Sequence, residues 1–125
     1  SDNVSVLLNT PTVEPVPSGC TITGTEGPDT LTGTSGADVV CGLAGDDTIH
    51  GASGNDRILA GSGNDIVTGG SGADDIEGGP GDDRLDGGSG NDRLTGGPGA
   101  DEVLGGSGTD TCAADPDDTL TTCNP

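Results

Sequence analysis

Ten aspartates stand nine residues apart in this chain: Asp29, Asp38, Asp47, Asp56, Asp65, Asp74, Asp83, Asp92, Asp101 and Asp110. A period of this kind, held over residues 24–113, decides the architecture before any local propensity can. Numbered from the first residue of each nine, Gly holds the fourth place, Asp the sixth, and an aliphatic side chain the eighth. The eighth-place residues are Leu31, Val40, Ile49, Ile58, Val67, Ile76, Leu85, Leu94 and Val103, followed by Cys112 in the last repeat. The second place is Gly from the fifth repeat onward, but Thr25, Thr34, Leu43 and Ala52 occupy it earlier, and Ala60 replaces Gly at the first place of the fifth repeat.

Glycine at several places in six residues supports a sharp turn with close backbone approach. The three residues that follow, with one apolar side chain between two others, read as a strand that sends its centre inward and its neighbours outward. So short a strand cannot stand alone and must stack on copies of itself.

The pattern G-G-x-G-x-D-x-U-x, with U aliphatic, resembles the RTX or haemolysin-type calcium-binding nonapeptide repeat, and the likeness covers 90 of 125 residues. The resemblance implies an all-β fold, a calcium-bound parallel β-roll (β-solenoid) of ten nonapeptide repeats in which two repeats complete one coil. Odd and even aspartates then form two columns, with rungs ~4.8 Å apart. Carboxylates so spaced repel unless cations lie between them, and hard oxygen ligands suit calcium. The resemblance also implies the ligand set. Each ion lies between one turn and the turn two repeats later. The earlier turn gives its second- and fourth-place carbonyls and its Asp; the later gives its first and third and its Asp. The first site would use Thr25, Gly27 and Asp29 with Gly42, Ala44 and Asp47, and the second Thr34, Gly36 and Asp38 with Gly51, Ser53 and Asp56. Further carbonyl ligands would come from Gly45, Gly54, Gly61, Gly63, Gly70, Gly72, Gly79, Gly81, Gly88 and Gly90. Each column of five turns encloses four gaps, so about eight Ca2+ ions are expected. Where Thr, Leu or Ala replaces the second-place Gly, a stiffer or slightly distorted turn is expected.

Charge supports the same reading. A net charge of −19, with only Arg57, Arg84 and Arg93 as basic residues, would ordinarily mark a disordered acidic segment. Here the acids are periodic, and eight divalent ions would leave about −3. The same balance argues against a nucleic-acid partner, which needs a basic footprint. With no Phe, Trp, Tyr or Met, the interior is too thin to order the repeats unaided. Metal binding is therefore expected to drive folding, leaving the metal-free chain largely unfolded.

The organisation expected is an extended lead-in and N-terminal cap over residues 1–23, the ten-repeat calcium-binding roll over 24–113, and a C-terminal cap over 114–125. Thr21-Ile22-Thr23 keeps the repeat register and reads as a capping strand, and Asp118-Thr119-Leu120-Thr121 echoes a last strand with Leu120 over the open core. Four cysteines allow three pairings. Five coils span roughly 20–25 Å, too far for cysteines at opposite ends to meet, so Cys20–Cys41 and Cys112–Cys123 are favoured. That pairing requires Cys20 to fold over its strand, or the cap to follow another register. A zinc site lacks C-x-x-C spacing. Disulfides indicate an oxidising compartment, hence a secreted or extracellular location, the cell surface included, and no apolar span suggests membrane insertion.

The lone histidine, His50, falls at an outward strand place with no nucleophile set around it, so no enzyme is read. The fifth-place residues are too irregular for a flat recognition lattice. The reading is a secreted, non-catalytic calcium-binding module, expected to be a monomer, that folds into a rigid roll on binding calcium. The alternatives are an adhesion or spacer module of a surface protein, or the accessory calcium module of a secreted hydrolase.

Overall fold

The computed structural model describes residues 19–113 and 115–123; the lead-in expected before Gly19 lies outside the described residues. Twelve short strands follow one another: β1 (Ile22–Thr23), β2 (Thr30–Thr32), β3 (Val39–Cys41), β4 (Thr48–His50), β5 (Arg57–Leu59), β6 (Ile66–Thr68), β7 (Asp75–Glu77), β8 (Arg84–Asp86), β9 (Arg93–Thr95), β10 (Glu102–Leu104), β11 (Thr111–Ala113) and β12 (Thr119–Thr121). Odd strands stack into one six-stranded sheet and even strands into another. Every neighbouring pair is parallel, as in β3 on β5 and β6 on β8. This is an all-β parallel solenoid, without a helix among the described residues. It has about six turns rather than five coils, because β1 and β12 add a rung at either end.

The register puts like residue on like. Val40 pairs with Ile58, Ile58 with Ile76, and Ile76 with Leu94 in one sheet. Ile49, Val67, Leu85 and Val103 do the same in the other. These eight side chains are buried in a single two-column core. Only this inward place is apolar in every repeat, so a one-residue slip would turn the whole column to solvent. Ala60 and Cys41 are buried as well.

The ends are less complete. Leu31, on edge strand β2, is half-buried, and Leu120 is 46% exposed although it registers on Val103. Leu120 therefore does not cover the open core as expected: it stands on the last rung, with no further turn above it. Cys112 and Cys123, joined to each other, pack against the core there instead. At the other end Ile22 registers on Val40, so the cap keeps the repeat frame. The ladder partner of Cys41 is Thr23, yet Cys20 is the residue bonded to it, with 6.0 Å between Cα atoms. The cap segment thus folds over its own strand.

The turns divide into two kinds. From the third repeat on, the second and fourth places take positive φ, as at Gly61 (96°) and Gly63 (115°). A side chain at Gly61 would run into the Leu43 carbonyl of the turn below, so glycine is required there by both conformation and space. Leu43 and Ala52 adopt the same conformation without being glycine, at φ 77° and 82°, which strains them. Thr25 and Thr34, with Gly27 and Gly36, stay out of this region altogether. The distortion expected of the early turns is thus of two sorts: strained turns at Leu43 and Ala52, and a different turn at the two threonines.

Candidate metal centre

Each sixth-place aspartate sits immediately before a strand, where the chain leaves its turn, and its side chain folds back under the rungs. Asp38, Asp47, Asp56, Asp65, Asp74, Asp83, Asp92, Asp101 and Asp110 are all buried. One carboxylate oxygen is accounted for by the solenoid. Oδ1 of Asp47 accepts the backbone N–H of Asp29 at 2.8 Å, and Oδ1 of Asp65 accepts that of Asp47 at 2.8 Å. The same bond recurs to Asp110, which accepts from Asp92 at 2.9 Å. Two columns of carboxylates are thereby fixed along the edges of the two sheets, as the period implied.

The second oxygen is different. Oδ2 of Asp47, Asp56, Asp65, Asp74, Asp83, Asp92, Asp101 and Asp110 is buried and receives no hydrogen bond. Eight buried carboxylate oxygens without a donor are costly unless a cation lies beside them. Seven of them, all but that of Asp65, face the hollow left by the missing side chain of their repeat's first glycine. A Cβ at Gly69 would lie 2.6 Å from Asp74 Oδ2 and 2.7 Å from the Gly87 carbonyl oxygen two repeats on. At Gly78 the corresponding distances are 2.6 Å to Asp83 Oδ2 and 2.8 Å to the Gly96 carbonyl, and at Gly87 both Asp92 Oδ2 and the Gly105 carbonyl lie at 2.6 Å. A carboxylate and a first-place carbonyl thus converge on one small space between successive turns. At the first place of repeat five stands Ala60, whose methyl is buried with the core.

Other expected carbonyls take part in the bonds between stacked turns. The second-place carbonyls of Leu43 and Ala52 accept the N–H of Ser62 and Ser71 in the turn above, at 2.9 and 3.0 Å. The third-place carbonyl of Pro80 accepts the N–H of Gly63 in the turn below at 3.1 Å. Each has a second lone pair free for a cation. Among the described residues no three His, Cys, Asp or Glu side chains gather as a metal cluster, so a cation here would rest largely on backbone oxygen. Carboxylate plus carbonyl is the donor set of calcium, and the residues fit it.

The electrostatics agree. Without a cation, burial pushes the carboxyls of Asp65 and Asp83 up to about 7 and those of Asp47 and Asp92 up to about 6, and the neighbouring carboxylates of each column add to this. Asp56, Asp74 and Asp101 are raised for the same first reason. A backbone N–H bond to each opposes the rise without cancelling it.

Asp29 and Asp38 stand apart. The Thr25 backbone N–H donates to Asp29 Oδ2 at 2.6 Å, and the Thr25 hydroxyl lies 2.9 and 3.0 Å from its two oxygens. Thr34 holds Asp38 in the same way. The sequence pattern, which treats all ten aspartates alike, did not separate these two. It set Asp118 ahead of a last strand but not in the column, although Asp118 Oδ1 accepts the Asp101 N–H at 2.9 Å and extends that column by a rung. The spacing there is 17 residues rather than 18, which takes Asp118 out of the strict period of the column. A further ladder runs outside: fifth-place Asp46 and Asn64 accept the N–H of Asn64 and Asp82 at 2.9 Å. Alternation of Asp and Asn at this place was its only signal.

A sequence profile described as the RTX calcium-binding nonapeptide repeat matches four overlapping stretches, residues 21–49, 42–76, 50–85 and 77–112. No curated protein matches the chain.

Proposed function

The chain belongs to the RTX calcium-binding nonapeptide repeat family, and from that premise we propose that it is a secreted, non-catalytic module that folds into a rigid β-roll on binding about eight calcium ions. One observation carries the reading. Eight buried carboxylate oxygens lack a donor, and those of Asp47, Asp56, Asp74, Asp83 and Asp92 each face a first-place carbonyl across a hollow that a Cβ would fill. Calcium, when bound, supplies the positive charge those oxygens need. The chain does the rest. Aspartates Asp47 to Asp110 of the period, together with first-place carbonyls such as those of Gly87, Gly96 and Gly105, hold the ligand oxygens between rungs. The strands add the aliphatic column, and the outer Asp and Asn ladder ties the turn tips together. Two disulfides, Cys20–Cys41 and Cys112–Cys123, fit an extracellular location and fasten the ends. His50, the lone histidine of the sequence, is exposed on β4.

Far-UV circular dichroism tests this. In excess chelator the spectrum should be that of an unordered chain, and calcium should restore a parallel-β spectrum cooperatively, with a midpoint between ~10⁻⁶ and 10⁻³ M. A full β spectrum in excess chelator refutes the proposal.

A further inference from the structure

The eight donorless oxygens begin at Asp47, not Asp29, and run to Asp110. The two aspartates missing at the start are those whose Oδ2 already accepts a threonine N–H and lies near its hydroxyl. At the other end, Asp110 belongs to the last repeat, so no repeat follows two turns later to give it a first-place carbonyl. The C-terminal cap supplies one. A Cβ at Gly105 would lie 2.7 Å from Asp110 Oδ2 and 2.6 Å from the carbonyl oxygen of Thr122, the same pair of oxygens found in the interior gaps. Thr122 reaches this position through a φ of 58°, unusual for a threonine. It is held there from two sides: its hydroxyl accepts the Gly106 N–H at 2.8 Å, and the next residue, Cys123, is bonded to Cys112. Asp110 itself is 1% exposed.

We infer that the column of calcium sites is displaced toward the C terminus: the cap residue Thr122 and Asp110 form a cation site outside the repeats, whereas at the first two turns, where a Cβ at Gly24 or Gly33 would meet the same kind of oxygen pair, Thr25 and Thr34 occupy the carboxylate oxygen with both N–H and hydroxyl. This rests on the calcium reading above; of the two gaps lost at one end, one is replaced at the other, between Asp110 and Thr122. It gives the C-terminal disulfide a second role. By fixing Cys123, the bond to Cys112 holds the preceding carbonyl over Asp110, so the last site is coupled to the oxidised state of the cap.

Native mass spectrometry of the full chain with calcium counts the ions directly. Thr122→Pro fixes φ near −65° and withdraws the carbonyl; Thr122→Gly keeps it and favours the observed φ. Asp29→Asn removes the charge from a turn that Thr25 has closed. Thr122→Pro should bind one ion fewer than the natural sequence, with Thr122→Gly restored to the full count and Asp29→Asn unaltered. Circular dichroism on the same samples verifies that the roll persists, since β1 to β11 do not depend on Thr122. An undiminished count in Thr122→Pro overturns the cap site, loss in both Thr122 variants overturns its assignment to the carbonyl, and loss in Asp29→Asn overturns the closure of the first turns. A natural chain that binds no calcium refutes the proposed function itself, a separate result.

Discussion

Replacing Asp83 by asparagine should push folding in opposite directions with and without calcium. Asp83 lies at the middle of its column, 3% exposed. Its Oδ1 accepts the Asp65 N–H at 2.8 Å, a bond that asparagine can keep, while its Oδ2 has no donor. Burial, joined by the charges of Asp65, Asp101 and Asp82, raises its carboxyl from 3.8 to about 7. Above pH 7 the ionised form therefore opposes the metal-free fold by up to about 4 kcal/mol, taking 1.36 kcal/mol per pKa unit. Asparagine removes the charge but must still bury an amide, so that figure is a ceiling. In chelator at pH 8, the metal-free chain can be driven to fold with trimethylamine N-oxide, which favours burial. Asp83→Asn should fold at a lower osmolyte concentration than the natural chain. In a calcium titration it should need more calcium, because a charged ligand at the centre of the column is gone. Both midpoints come from far-UV circular dichroism. If the variant needs more osmolyte as well as more calcium, the donorless carboxylate is no burden to the metal-free roll and the desolvation argument fails.

The remaining predictions concern protons, strain and the caps. Because the folded-state values of Asp47, Asp65, Asp83 and Asp92 are raised, their contribution to the metal-free fold is full below about pH 4 and lost as pH rises through about 6 to 7. The osmolyte midpoint in chelator should accordingly fall on acidification over that window, whereas the calcium midpoint should rise as protons compete for the same oxygens. Leu43→Gly relieves a φ of 77° and should stabilise the calcium-loaded roll by about 0.5–1 kcal/mol in urea unfolding; destabilisation would show that the Leu43 side chain matters more than its backbone. Exchanging Cys112 and Cys123 together for serine should raise the calcium midpoint and broaden the transition, since the bridge removes roughly 3 kcal/mol of chain entropy and closes the end where the turns are richest in glycine. The same exchange at Cys20 and Cys41 should do less, and the reverse order in calcium titrations would refute a C-terminal start to folding.

The period alone determined the solenoid, the inward column from Val40 to Val103 and the two columns of aspartates. Each follows from repeating one inward residue and one carboxylate at a spacing that stacking must preserve. Even the cap strands were legible, because Ile22 and Leu120 keep the apolar place of the frame. What the sequence could not decide is which copies of the same residue do the same work. Asp29 and Asp74 hold identical places, yet one has its oxygens engaged by a threonine N–H and hydroxyl and the other has an oxygen with no donor. That difference goes with the second residue of each turn, Thr25 outside the positive-φ region and Gly70 at φ 100°. The roles of Asp118 and Thr122 were hidden for a related reason. The chain slips by one residue between Asp101 and Asp118, and only the stacked structure shows that the rung, and the carbonyl beyond it, return to the same height above the column. Ligand identity follows the period; ligand availability depends on which backbone donors the tertiary fold brings to each oxygen.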